Sequence, residues 1–257
     1  MQKLPISVFI IAKDEEDRIP YSIKSVIDWV DEVIVIDSGS SDDTVKVAKS
    51  LGAKTIFNKW PGYGQQKIFG EQQCKNNWLL NIDADEEITK SLRDEIITLF
   101  ANGSPAPQNA YKLKCKLMFM HQNKPSRFAH INAPIRLYNK ATASFRDSTV
   151  HDAVIPTADV QVHKLVNIIN HRSFRGLHHM IEKSNKYTTM LAQDLYKKGK
   201  KPSIMRLLFE PLTMFLKAYF IRRFCLYGSY GFVHSITHAY FRTARLAKTR
   251  ELFKNLS

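Results

Sequence analysis

Asp83-Ala84-Asp85 places two carboxylates one residue apart, directly after the apolar run Trp78-Leu79-Leu80-Asn81-Ile82. Carboxylates at that spacing can share a hard cation, Mg²⁺ or Mn²⁺, through oxygen. Such a cation neutralises a diphosphate and stabilises it as a leaving group. The same residues also read as the acidic start of a helix, because Glu86 and Glu87 follow and Thr89 can cap. Asp37 closes a second apolar run, Val33-Ile34-Val35-Ile36, and precedes Ser38-Gly39-Ser40-Ser41-Asp42. A carboxylate there can accept hydrogen bonds from a base N–H or from ribose hydroxyls, while Ser41 and Asp42 suit a helix cap. Asp14-Glu15 follows a third run, Ile6 to Ala12. His178-His179 invites a metal reading, with His171 nearby. Adjacent helical residues point to different faces, so the pair is poorly placed to chelate and reads as partly buried or acceptor-facing polar residues.

The elements that must position these groups alternate. Strand signals at Ile6–Ile11, Val33–Ile36, Ala53–Phe57 and Trp78–Ile82 are separated by helical patterns at Ile19–Val30, Thr44–Leu51 and Gln65–Asn76, and Thr89–Phe100 follows. Continuous apolar strands between helices predict a mostly parallel sheet covered on both faces. Ligands bind beyond the carboxyl ends of such strands, and Asp14-Glu15, Asp37 and Asp83-Ala84-Asp85 all fall at strand carboxyl ends. After a loop at Asn102–Gln108 the pattern becomes β-like at Tyr111–Met118, Ile135–Tyr138 and Val160–Val166, which predicts a mixed sheet completing the domain. Gly176–Lys198 reads as helix, and the chain from Pro202 onward as helical, aromatic and basic.

Charge separates these parts. Of the +14 formal charge over 257 residues, +11 lies in 197–257, where 13 Lys and Arg face 2 Asp and Glu. A basic tail of this kind suits an anionic surface, lipid or nucleic acid. In 204–219, Arg206, Glu210, Thr213 and Lys217 form a polar stripe opposite Leu208, Leu212, Phe215 and Tyr219, as in an interfacial helix on anionic lipid; packing of the apolar stripe on the catalytic domain or a partner is the alternative. Pro211 is expected to kink or interrupt that helix. Three cysteines, far apart, argue against a disulfide framework or a zinc site and suit a reducing cytosol. The apolar run at the N-terminus is short and followed by charge, so it reads as a strand and not an export signal. No stretch reaches the roughly 18 apolar residues of a spanning helix. A nucleotidyltransferase would be expected to carry a glycine-rich phosphate loop after the first strand, yet no glycine precedes Gly39. A nucleic-acid binder fits the tail but not the acidic strand ends.

Ile11-Ala12-Lys13-Asp14-Glu15-Glu16, Val35-Ile36-Asp37-Ser38-Gly39-Ser40-Ser41-Asp42 and Asn81-Ile82-Asp83-Ala84-Asp85-Glu86 together resemble the family 2 glycosyltransferases of the GT-A fold. Gly62-Tyr63-Gly64-Gln65-Gln66-Lys67, Val150-His151-Asp152 and His171-Arg172-Ser173-Phe174 resemble the subgroup that adds sugars to the lipopolysaccharide inner core. The resemblance implies a GT-A Rossmann-like α/β catalytic domain over 1–175, with a nucleotide-binding half at 1–101 and an acceptor half at 102–175. Helices over 176–257 would follow, associated with a membrane surface. It implies that Glu15 and Asp37 contact the nucleoside, that Lys67 approaches the base or diphosphate, that Asp83 contacts ribose or metal, and that Asp85 coordinates the metal. Asp152 would be the general base, with His151 and Arg136 contacting acceptor or substrate. Two residues depart from the pattern: the subgroup more often has Glu at the position of Asp152, and usually an Asp where Asn132 stands. The implied activity is an inverting, metal-dependent transfer of a sugar, glucose or heptose from a nucleotide donor with UDP-glucose expected first, to a lipid-linked saccharide acceptor. Its implied place is the cytoplasm, peripheral on the inner face of a bacterial inner membrane, with no nucleic-acid partner.

Overall fold

A computed structural model describes residues 2–118, 122, 124–125, 129, 131–148 and 152–254. They fall into two compact units, the first from 1–118 and 131–173, the second from 119–130 and 174–257.

The first unit is built on a sheet whose order is β3-β2-β1-β4-β8-β6-β11-β5, with β7 beside β6. The strands are β1 (Leu4–Ala12), β2 (Val30–Asp37), β3 (Lys54–Phe57), β4 (Trp78–Asn81), β5 (Glu86–Ile88), β6 (Asn109–Leu117), β7 (Ile131–Asn132), β8 (Ile135–Asn139) and β11 (Gln161–His171); β9 (Ala143–Phe145) and β10 (Val154–Pro156) form a separate hairpin ladder. The strands β3, β2, β1 and β4 run parallel. Beyond β4 the sheet becomes mixed: β8 is antiparallel to both β4 and β6, while β11 is parallel to β6. Hence β11 points the same way as β4 and ends at the same edge of the sheet. The expected α/β architecture is thus present, parallel in its N-terminal half.

Alternation along the strands divides the core. Ile6, Val8, Ile10, Val33, Val35, Leu80 and Ile82 pack on one side with Ile23 of α1 (Ile19–Lys24), Ala48 of α2 (Thr44–Ser50) and Leu92 and Ile96 of α4 (Lys90–Leu99). Phe9, Ile34, Ile36, Leu79, Tyr138 and Phe145 pack on the other with Ile68 and Phe69 of α3 (Tyr63–Gln73). Fully burying such side chains contributes about 1.5–3 kcal/mol each. Helices therefore lie on both faces. Cys74 and Cys115 are buried and unbridged, and burial pushes the Cys74 thiol up to about 12.

Two elements of the first unit end well away from where they are expected. The helix predicted over Ile19–Val30 stops at Lys24; Ser25 turns its hydroxyl back to the Ser22 carbonyl, and the chain makes turns before β2. The strand predicted over Val160–Val166 continues to His171. It contains a bulge between Lys164 and Ile168, where Glu95 accepts from the backbone N–H groups of Val166 and Asn167.

The second unit consists of α5 (Leu177–Lys197), α6 (Ile204–Leu216), a π-helical stretch at Lys217–Ile221, a 3₁₀ turn at Phe224–Tyr227 and α7 (Gly228–Lys254). Lys248 of α7 donates to the carbonyl and side chain of Asn185 and to Thr188 and Thr189 of α5. Pro211 does not interrupt α6, which runs through it. Among the described residues no helix is long and apolar enough to cross a membrane.

Candidate functional site

At the carboxyl edge of β1 and β2 two loops clasp each other. Asp14, in the left-handed region at φ 55°, accepts from the Ser41 N–H at 2.7 Å. The Glu15 N–H donates to Thr44, and the Asp43 N–H to Glu16. Asp37 sits at the end of β2, and its carboxylate accepts from the Gly39 N–H at 2.9 Å and the Ser40 hydroxyl at 2.5 Å. Asp42 accepts from the N–H and hydroxyl of Thr44. Asp37 thus shapes the turn that carries it, which fixes a buried carboxylate at the strand end. Gly39 supports that turn at φ 88°, where a side chain would be strained.

Just past β4, Asp83 stands between two cations. Lys67 donates to its Oδ1 and Arg136 to its Oδ2, each at 2.8 Å. Arg136 also donates to Asn81 at 2.5 Å and to Glu86 at 2.8 Å. Burial opposes the charge on Asp83, but Arg136 and then Lys67 outweigh it and hold its carboxyl well below the usual range. Arg136, expected to meet acceptor or substrate, is buried and bonded to Asn81, Asp83 and Glu86. It lies at the start of β8, which the antiparallel register with β4 brings beside Asn81. Glu86 belongs to β5, paired with β11; the acidic run Glu86-Glu87 is a short strand, and the helix begins only after Thr89.

Lys67 is fully buried on α3 and reaches Asp83 and Asp152 together, the second at 2.5 Å. Gly64 explains part of the spacing in Gly62-Tyr63-Gly64-Gln65-Gln66-Lys67. Its N–H donates to the Ser148 carbonyl, and a Cβ there would lie 2.3 Å from the Arg146 carbonyl oxygen. Gln65 adds a bond to Asp147 at 2.6 Å. Residues 146–148 are therefore seated on the first turn of the helix that carries Lys67. His151 lies outside the described residues. One turn further along α3, buried Glu71 accepts from Tyr138 Oη at 2.5 Å and from the Phe145 N–H at 3.1 Å. Burial pushes its carboxyl up to about 7, against the opposing effect of both bonds.

Asp85 is buried at 8% exposure, with His171 Nε2 at 3.4 Å and Arg18 at 3.6 Å. Arg18 also pairs with Glu15 at 2.6 Å and donates to the carbonyls of Arg172 and Ser173. Glu15 is thereby tied to the Asp85 loop and to the end of β11. Burial disfavours charge on His171, yet Asp85, with Glu86 and Asp83 behind it, raises its pKa. The Asp85 carboxylate is an oxygen donor of the kind Mn²⁺ or Mg²⁺ takes, and His171 Nε2, also 2.9 Å from the Ser173 hydroxyl, is a nitrogen donor beside it; phosphate oxygens and water would complete such a shell. Asp85 and His171 fit such a cation. Asp83 fits less well, since both its oxygens are taken by Lys67 and Arg136. Among the described residues no group of three or more His, Cys, Asp or Glu side chains is arranged to hold a metal.

The site therefore brings Glu15, Asp37, Lys67, Asp83, Asp85, Arg136 and Asp152 to one edge of the sheet. Sequence reasoning missed Arg18, Glu86 and the pairing of His171 with Asp85. The signal for His171 was the apolar pair Ile168-Ile169, which continues the β11 pattern to the edge where β4 ends.

Parallel strands with acidic residues at their carboxyl ends put the candidate ligand site of this α/β fold at that edge of the sheet. The Glycosyl transferase family 2 model matches residues 7–155, and the chain belongs to that family. A glycosyltransferase of Rickettsia typhi, described as uncharacterized, is 47% identical over 254 residues, covering 96% of this chain and 87% of its own. LpsC of Rhizobium meliloti, a lipopolysaccharide core biosynthesis glycosyltransferase, is 28% identical over 252 residues, 96% of this chain and 92% of its own. A crystal structure of S. aureus TarS 1–349 is 14% identical, covers 100% of this chain and 92% of its own, and has a TM-score of 0.47.

Proposed function

We propose that this transferase moves a sugar from a UDP-sugar, glucose in the first instance, to a lipid-linked saccharide of the lipopolysaccharide core type, with inversion, at the cytoplasmic face of the inner membrane. The observation that carries this reading is Lys67, a buried ammonium joining Asp83 at the donor edge to Asp152. The similarity to LpsC supports the acceptor class.

In this reading Glu15 and Asp37 line the nucleoside side of the site, and Asp83 meets ribose. Asp85 and His171 would hold a divalent cation, which would supply neutralisation of the diphosphate when bound. Asp152 accepts the proton of the acceptor hydroxyl while that oxygen forms its bond to the anomeric carbon. The bond from that carbon to the diphosphate breaks, and its electron pair leaves with UDP. Lys67 orients Asp152 through their ion pair, and it places positive charge near the departing phosphate. Arg136 orients Asp83 and Glu86.

UDP release from UDP-glucose, measured with a lipopolysaccharide core acceptor, tests this reading. Asp152→Asn is expected to lower kcat by about 10²–10⁴-fold while UDP still binds, and Asp152→Glu to restore part of the rate. Unchanged turnover in Asp152→Asn would remove Asp152 from the chemistry.

A further inference from the structure

In the second unit, α6 is built with its charge inward. Glu210 is its one buried residue, at 6% exposure. The carboxylate sits between Arg206 at 2.7 Å and, on α7, Arg242 at 3.4 Å and Arg245 at 3.7 Å. Meanwhile Leu208, Phe209 and Leu212 are 64%, 57% and 59% exposed, and Ile204, Met205 and Leu216 are exposed beside them. These six fall on one helical face. Beyond them Phe215 stacks on Tyr219, and both meet Phe232 of α7. Phe232 begins an exposed α7 face with Val233, Ile236 and Tyr240. An uninterrupted apolar face of this kind marks a surface that something covers.

Charge identifies what covers it. Exposed Lys200 and Lys201 stand before α6, and exposed Lys217 and Arg223 follow it. Between Asp194 and Glu251 the sequence has one acidic residue, Glu210, and it is turned inward. A second copy of the chain seated on this face would bring cationic rims together, whereas anionic headgroups complement them. We propose that α6 is an interfacial helix that inserts its Ile204–Leu216 apolar face into the acyl boundary of an anionic lipid surface, with Glu210 holding the helix in the orientation that presents it. The orientation is the reverse of an ordinary surface helix, and it does not depend on what the donor site binds.

The full chain is tested by co-sedimentation with vesicles of phosphatidylcholine alone and of phosphatidylcholine with phosphatidylglycerol. The wild type is expected to bind the anionic vesicles, and a triple variant, Leu208→Ser with Phe209→Ser and Leu212→Ser, to bind them at least about tenfold more weakly with an unchanged thermal midpoint. Phe209→Trp is expected to add fluorescence that brominated lipid quenches. Equal binding to both vesicle types would overturn the anionic assignment. Vesicle binding that survives the triple substitution would move the contact to the rest of the basic tail. No vesicle binding, with a dimer in ultracentrifugation that the triple variant dissolves, would give the face to a second copy.

Discussion

Asp83 and Glu210 are carboxylates surrounded by cations, one in each unit, and they are held differently. Asp83 receives hydrogen bonds of 2.8 Å on both oxygens from Lys67 and Arg136, which are themselves buried. Glu210 has one close partner, Arg206, and its Oε1 has no hydrogen bond, only arginines at 3.4 and 3.7 Å. The Asp83 carboxylate remains 31% exposed at the strand edge, while Glu210 faces α7. The tight, partly open cluster fixes Asp83 at the strand edge; the loose, closed one turns Glu210 toward α7. Burying charge is costly in both places, and the difference in geometry tells the two uses apart.

Removing a cation from the tight cluster is expected to have the largest effect. Arg136→Met leaves Asp83 and the almost fully buried Glu86 without their shared partner, and is expected to destabilise the protein by about 3–5 kcal/mol in denaturant unfolding. A cost below about 1 kcal/mol would mean that the network is no tighter than a surface pair.

Glu71 is a buried carboxyl with no ion pair among the described residues. Its pKa is raised from 4.5 to about 7 by burial. The protonated form is favoured by folding, so the stability it contributes is fully present below pH 4.5 and is lost as pH rises through about 7. The expected loss is about 3 kcal/mol, and in Glu71→Gln that pH dependence should disappear. An unchanged profile in the variant would assign the ionisation elsewhere.

In the loose cluster, Glu210→Gln is expected to cost about 1–2 kcal/mol, because Arg206 and Arg242 can rehydrate. The same variant should weaken vesicle binding if the carboxylate orients α6. The smallest effects are at two matched caps. Thr89 accepts from the Leu92 N–H in the first unit and Ser203 from the Arg206 N–H in the second. Thr89→Ala and Ser203→Ala should each cost about 1 kcal/mol, with Thr89 the larger because its hydroxyl also donates to the Ile168 carbonyl. Thermal unfolding of both variants measures the difference.

Much of the sheet was legible because β1, β2 and β4 are continuous apolar runs, each followed by acid. Their carboxyl ends could be placed together before any coordinates, which located Glu15, Asp37, Asp83 and Asp85. The rest depended on pairing across the chain. Arg136 reads as one basic residue in a short strand, and its inward turn follows only from the β4–β8 register. Glu86-Glu87 looks like the start of a helix, and only β11 makes it a strand. In α6 the two stripes were visible, but periodicity does not say which one faces the neighbouring helix; Glu210 beside Arg242 and Arg245 does. Gly64 was visible as a glycine, while its reason, the approach of residues 146–148, was not.

In the proposed function the acidic strand ends form a nucleotide site served by a cation on Asp85 and His171. Calorimetric titration with UDP, with and without Mn²⁺, tests it on the wild type, Asp85→Ala and His171→Ala. UDP binding that requires Mn²⁺ and is lost in both variants is the result this account predicts. UDP binding indifferent to Mn²⁺ and to both substitutions would contradict it.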